Sequence, residues 1–195
     1  SMEEIKISPR EYQKAIVETA KENNTLVILP TGIGKTLIAL MLSVERIKKF
    51  PGKKILILAP TRPLVEQHLE SFKKNLHELF AEVDIFTGSI NAKKRQNIWK
   101  NAEIIFSTPQ CIANDVRRGL YNLEDVSLLV IDEAHRCLKN YDYTFVANAY
   151  KSQALNQRIL GLTASPGSDK ARVQQICKNL DIERLEIRNR DYKLT

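Results

Sequence analysis

The segment Thr31-Gly32-Ile33-Gly34-Lys35-Thr36 can hold the phosphates of a nucleotide. Gly32 and Gly34 let the backbone fold tightly and aim N–H groups at an anion. In such a loop the lysine, Lys35, reaches the β- and γ-phosphates, and the following hydroxyl, Thr36, binds magnesium. The strict pattern has a leading glycine where this chain has Leu29. Farther along, Asp132-Glu133-Ala134-His135 follows four apolar residues. A carboxylate at the tip of a buried strand, here Asp132, can hold a hydrated magnesium ion. Glu133 can orient an attacking water and accept its proton. Two further segments, Ala59-Pro60-Thr61-Arg62 and Thr163-Ala164-Ser165, suggest a site that passes ATP chemistry on to a second ligand. The four segments in this order point to a nucleic-acid-dependent ATPase.

Such residues need a scaffold, and the apolar pattern supplies one. Five segments read as strands: Leu26–Leu29, Ile55–Ala59, Ile104–Ser107, Leu128–Ile131 and Ile159–Leu162, with Val83–Phe86 a weaker sixth. Most are continuously apolar, which suits strands covered on both faces. Between them lie helical patterns. Val65, Leu69, Phe72, Leu76 and Leu79 line one helix face, with Pro63 near its start. Val173, Ile176, Cys177 and Leu180 mark another, with Ser168 or Asp169 as its expected N-cap. Tyr12, Ile16, Thr19 and Ala20 predict a first helix, and Thr36–Ile47 is apolar nearly all round, as a helix buried against a sheet would be. The alternation predicts an α/β fold: a mostly parallel sheet with helices on both faces. Ligands in such sheets bind at the carboxyl ends of the strands, where these segments fall.

Composition agrees with one sizeable domain. The chain has 195 residues, of which 43% are hydrophobic. Its apolar runs are too short for a membrane-spanning helix, and no signal peptide is evident. Ser1-Met2 reads as a remnant of tag removal. Three widely spaced cysteines, Cys111, Cys137 and Cys177, match no zinc spacing and read as buried thiols of a reducing cytoplasm. A net charge of +7 favours a polyanionic partner without establishing one.

Taken together, the segments resemble the first motor domain of a superfamily 2 helicase in its DEAH form, over roughly Ile7 to Leu180. That resemblance implies a RecA-like P-loop NTPase domain that uses ATP and magnesium. Thr31–Thr36 corresponds to motif I, with Thr31, Gly32, Ile33, Gly34, Lys35 and Thr36 as ATP-binding residues. Asp132–His135 corresponds to motif II, with Lys35, Asp132, Glu133 and His135 as catalytic residues and Thr36 and Asp132 on magnesium. Thr163, Ala164 and Ser165 correspond to motif III, which couples ATP to nucleic acid, and His135 is expected to hydrogen-bond towards it. Arg10-Glu11-Tyr12-Gln13 resembles the upstream adenine-reading element, with Gln13 as its glutamine. Within the superfamily the phrases Leu29–Gly32, Ile131–Arg136 and Gly161–Gly167 are similar to those of the archaeal Hef and Fanconi anaemia M-type helicases. This implies DNA, branched or forked, as partner, and an archaeal cytosol as location.

Small hydroxyl residues at loop tips suit phosphate oxygens. Thr61, Arg62, Thr87, Gly88, Thr108 and Pro109 are therefore carried over as nucleic-acid backbone contacts. Lys93-Lys94-Arg95 and Arg117-Arg118 read as solvated helix faces, Trp99 as packing, and His68 and His77 as histidines without a role. Residues 3–187 are expected to form one motor domain, and 188–195 the start of a linker to a second RecA-like domain absent from this chain. Rival readings are an RNA helicase of the RIG-I or Dicer type, a nucleotide-gated nucleic-acid-binding module without turnover, and a P-loop kinase or synthetase. Intact Glu133 argues against the binding module, because a module that only binds needs no residue to position water. A kinase has no use for Ala59–Arg62 or Thr163–Ser165.

Overall fold

Strand residues of this chain point alternately to two apolar layers, and that alternation builds the molecule. In the computed structural model, which describes residues 3–30, 33–78, 80–164 and 170–189, the strands are β1 (Thr25–Ile28), β2 (Lys54–Leu58), β3 (Val83–Phe86), β4 (Ile104–Ser107), β5 (Val126–Asp132), β6 (Ile159–Thr163) and β7 (Arg184–Ile187). They form one sheet in the order β3-β4-β2-β5-β6-β1-β7. Every pairing between these strands is parallel, so the sheet goes beyond the mostly parallel expectation.

Ile55 and Ile57 of β2, Leu128 and Val130 of β5, and Leu160 and Leu162 of β6 face one layer of helices. That layer holds α1 (Glu11–Glu22), α2 (Ile33–Lys49) and α3 (Arg62–Asn75). Leu56, Leu58, Leu129, Ile131 and Ile159 face the other. There lie α4 (Ala92–Asn101), α5 (Pro109–Arg117), a short 3-10 helix (Ala134–Leu138), α6 (Tyr141–Gln153) and α7 (Lys170–Asn179). Two apolar faces per strand explain why the strand segments read as continuous runs.

Several expectations are corrected. The face from Val65 to Leu79 is not one helix. α3 stops at Asn75, and Leu76 pairs instead with Ile5 in an antiparallel bridge. Leu79, Ser168 and Asp169 lie outside the described residues. β7 has an exposed, alternating pattern (Arg-Leu-Glu-Ile) at the sheet edge, too short and too polar to read as a strand. Cys137 is buried, but Cys111 and Cys177 are only half-buried. Arg95 is not solvated: its side chain is 9% exposed and makes a two-pronged ion pair with Asp115, which is 0% exposed. Trp99 does pack, stacked on Tyr121 at 4.0 Å. Among the described residues no helix is long and apolar enough to cross a membrane.

Candidate functional site

Parallel strands all end at one edge, so the loops that follow them share that edge. Strand order then sorts them. β5, β6 and β1 are neighbours, and after them come Asp132-Glu133, Thr163-Ala164 and the turn into α2. β3, β4 and β2 are neighbours on the other side, and after them come Thr87-Gly88, Thr108-Pro109 and Thr61-Arg62. The residues expected to meet ATP and those expected to meet nucleic acid thus occupy adjoining halves of one edge.

On the first half a cleft of about 410 Å³ is lined by Lys35, Thr36, Leu64, His68, Asp132 and Glu133, among others. Gly34, Lys35 and Thr36 occupy the first turn of α2, whose free N–H groups and dipole favour an anion. A Cβ at Gly34 would stand 2.7 Å from the Tyr12 hydroxyl, so a side chain there would have to push that hydroxyl aside. Gln13 is buried and clamps this start of α2. Its Oε1 accepts from Arg10 N at 2.7 Å, and its Nε2 donates to the Gly34 carbonyl at 3.4 Å. Ile33 opens α2, while Thr31, Gly32 and Ser165 lie outside the described residues.

Asp132 ends β5 with both carboxylate oxygens engaged. Oδ1 accepts from Glu133 N at 2.9 Å, and Oδ2 accepts from His68 Nε2 at 2.8 Å. Burial pushes this carboxyl up. The hydrogen bond and charge interaction with His68, the Glu133 N–H and the Lys35 ammonium outweigh that, so its pKa lies below the usual carboxylate value. Glu133 has left-handed backbone, φ 50° and ψ 51°, an uncommon state for a non-glycine residue and one concentrated at functional sites. Its Oε2 accepts from Arg136 Nε at 2.8 Å. Gly161 on β6 permits the tight approach of the 3-10 helix, since a Cβ there would lie 3.3 Å from Ala134 Cβ and 2.9 Å from Leu26 Cδ1.

His135 Nδ1 lies 3.0 Å from Thr163 Oγ1. Thr163 Oγ1 gives its one proton to the Ala164 carbonyl at 2.9 Å. It must therefore accept from His135, which fixes the imidazole proton on Nδ1. This is the bond expected between the segment after β5 and the segment after β6. Burial holds His135 below the usual histidine pKa, so it is neutral at pH 7.

On the second half, Thr61 and Thr108 are the N-cap residues of α3 and α5, yet neither side chain makes a capping hydrogen bond. Helix capping therefore does not account for either hydroxyl. Arg62 is exposed and pairs with Glu66 at 3.0 Å. The Thr87 hydroxyl meets that of Ser89 at 2.7 Å, Gly88 is exposed, and Pro109 is buried at the first turn of α5. Arg95 also donates to the carbonyl of Ile90, tying α4 to the loop that holds Thr87 and Gly88.

His68 is the site residue that sequence reasoning passed over. The signal was present: it stands three residues after Val65 and four before Phe72, on the buried face of α3. Among the described residues no group of three or more His, Cys, Asp or Glu side chains gathers as a metal site.

Residues 10–173 match the family model described as DEAD/DEAH box helicase. The chain is 44% identical over 181 residues to an Arabidopsis thaliana protein named DEAD-box ATP-dependent RNA helicase FANCM, across 92% of this chain and 13% of the relative. It is 42% identical to the ATP-dependent DNA helicase MPH1 of Candida albicans, across 92% of this chain and 15% of the relative. The crystal structure of the Pyrococcus furiosus Hef helicase domain superposes with a TM-score of 0.88 at 48% identity, covering 93% of this chain and 38% of that one. The chain therefore spans well under half the length of these relatives.

Proposed function

The chain belongs to the DEAD/DEAH box helicase family, and on that premise we infer that it is the first motor domain of an ATP-driven helicase or translocase acting on DNA. The observation that carries this reading is the convergence of Lys35, Thr36, Asp132 and Glu133 on one cleft beside the row of Thr61, Thr87 and Thr108. Lys35 and the first turn of α2 hold the β- and γ-phosphates, and Gly34 lets the backbone approach them. Gln13, the adenine-reading residue by resemblance, braces the start of α2 from α1 through the Gly34 carbonyl. For magnesium, the donor set fits: a hydroxyl and an ionised carboxylate are the hard oxygens it takes, with phosphates and waters completing the shell. Thr36 and Asp132 would hold it. When bound with ATP, the ion supplies positive charge to the phosphates. Glu133 orients the attacking water and accepts its proton.

Occupancy reaches nucleic acid through His135 and Thr163, where β5 and β6 end side by side. Thr61, Arg62, Thr87, Gly88 and Thr108 offer small polar tips and helix N-termini to backbone phosphates, which carry no sequence information, while the buried Pro109 shapes the start of α5 behind Thr108. DNA rather than RNA is favoured by the name of the MPH1 relative, a DNA helicase, and the resemblance of the motifs to Hef-type helicases points to forked or branched DNA in repair as the substrate. The Arabidopsis relative bears an RNA helicase name, so RNA is the competing substrate.

Two measurements test the reading together. Lys35→Ala should weaken ATP binding at least tenfold while leaving the melting temperature within a few degrees, because Lys35 is only half-buried and little packing is lost. ATPase stimulation in the full-length protein should be greater with forked DNA than with duplex RNA. Unchanged ATP affinity in the variant would remove Lys35 from the site, and stronger stimulation by duplex RNA would reverse the substrate assignment.

A further inference from the structure

His68 crosses between the two halves of the site. α3 leaves the end of β2, and its second turn lays this side chain, in a residue only 6% exposed, against Asp132 at the end of β5. We propose that His68 is a positioning residue for the magnesium–nucleotide complex: it fixes the Asp132 carboxylate and braces it against the Thr36 hydroxyl. The proposal rests on Thr36 and Asp132 being the metal-side residues, as read above.

An ionised carboxylate only accepts, so His68 Nε2, 2.8 Å from Asp132 Oδ2, carries a proton. With Oδ1 held by Glu133 N, the carboxylate is gripped at both oxygens and keeps one orientation. The other ring nitrogen, Nδ1, lies 3.5 Å from Thr36 Oγ1, so one imidazole spans the carboxylate and the hydroxyl. An apolar residue at position 68 would match Val65, Leu69 and Phe72 on the same face, but it would leave one oxygen of a buried carboxylate without its partner. Groups that orient metal ligands in this way typically change metal affinity by about 10–100-fold when removed.

The test compares the wild type with His68→Leu and His68→Gln. ATP binding is titrated with Mn²⁺, read by its electron paramagnetic resonance signal, and repeated in EDTA. Thermal melts without nucleotide report the fold. His68→Leu should raise the Mn²⁺ needed for half-saturation about 10–100-fold while leaving metal-free ATP affinity within about twofold. His68→Gln should recover most of that loss, because its amide can still donate to Asp132 from the same face of α3. If His68→Leu does not fold, His68→Asn, polar but too short to reach both partners, takes its place with the same expected loss. Wild-type metal dependence in a folded His68→Leu, or a glutamine no better than leucine, overturns the proposal. So does an equal loss of ATP binding with and without metal. A wild type whose ATP affinity ignores Mn²⁺ would overturn the magnesium assignment itself, and the role of His68 with it.

Discussion

A single proton placement links the two segments that end β5 and β6. Thr163 spends its proton on the Ala164 carbonyl, so His135 must donate from Nδ1. Half-buried beside Arg136 and Arg172, His135 resists a second proton, and burial is the largest cause. The sign of the pH effect follows. A histidine whose folded pKa lies below its unfolded value of about 6.5 contributes stability that is complete above that value. The contribution is lost as pH falls through the lower folded pKa. The melting temperature should therefore decline as pH drops below about 6.5, before the carboxylates titrate. His135→Gln should flatten that part of the profile without shifting the wild-type plateau by more than a few degrees. Equal slopes for both proteins between pH 7 and 5 would show that His135 carries no such linkage. His135 and its direction towards Thr163 were legible in the sequence through motif resemblance. His68 was not, because the partner that gives it a role, Asp132, is 64 residues away and meets it only through the strand order.

Elements carry the next level of control, and α4 and α5 show why charge patterns mislead. Lys93-Lys94-Arg95 looks like a solvated run, yet α4 turns Arg95 inward, where Asp115 of α5 receives it at 2.8 and 2.7 Å. Tyr121 donates to the same carboxylate at 2.9 Å. The pair holds α4, α5 and the Ile90 carbonyl together, and so sets the spacing of the tips at Thr87 and Thr108. Removing one partner leaves a buried charge unmatched. Asp115→Ala should cost about 3–5 kcal/mol in urea denaturation. Replacing both partners, Arg95→Met with Asp115→Leu, should recover most of that loss, because paired burial of charge is close to neutral against apolar packing. A loss below about 1 kcal/mol for Asp115→Ala would mean that water reaches Arg95 after all. The five continuous apolar strands were readable because two-sided burial needs only composition. α4, α5 and α6 were harder to read: their apolar faces are interrupted by polar groups, such as Arg95 and Asp115, that are satisfied by residues distant in sequence.

At the scale of the whole molecule, the sheet offers each of the two proposed ligands half an edge and faces the cleft from one side only. Among the described residues lining that cleft, Lys35 is the one lysine or arginine, and Arg136 is held by Glu133 nearby. Phosphoryl transfer is catalysed by positioning together with charge stabilisation from several directions. Under the proposed function the groups here hold the phosphates and place a water, and the opposing positive charge is assigned to arginines of a second RecA-like domain. Such a group is worth roughly 10³–10⁵ in rate in related enzymes. That corresponds to about 4–7 kcal/mol of transition-state stabilisation. Translocation likewise requires two bodies that close and open around the nucleotide. This chain alone should bind ATP and hydrolyse it very slowly, and should neither unwind nor translocate. Its binding to single-stranded DNA should be weak, indifferent to sequence and steeply reduced by salt, since it rests on phosphate contacts along half a track. The measurement is steady-state ATP hydrolysis with and without DNA, for this chain and for a longer one that includes the second domain. The longer protein should turn over at least a thousandfold faster and respond to DNA. Equal rates and equal stimulation would place the whole catalytic apparatus within these 195 residues and remove the need for an opposing arginine.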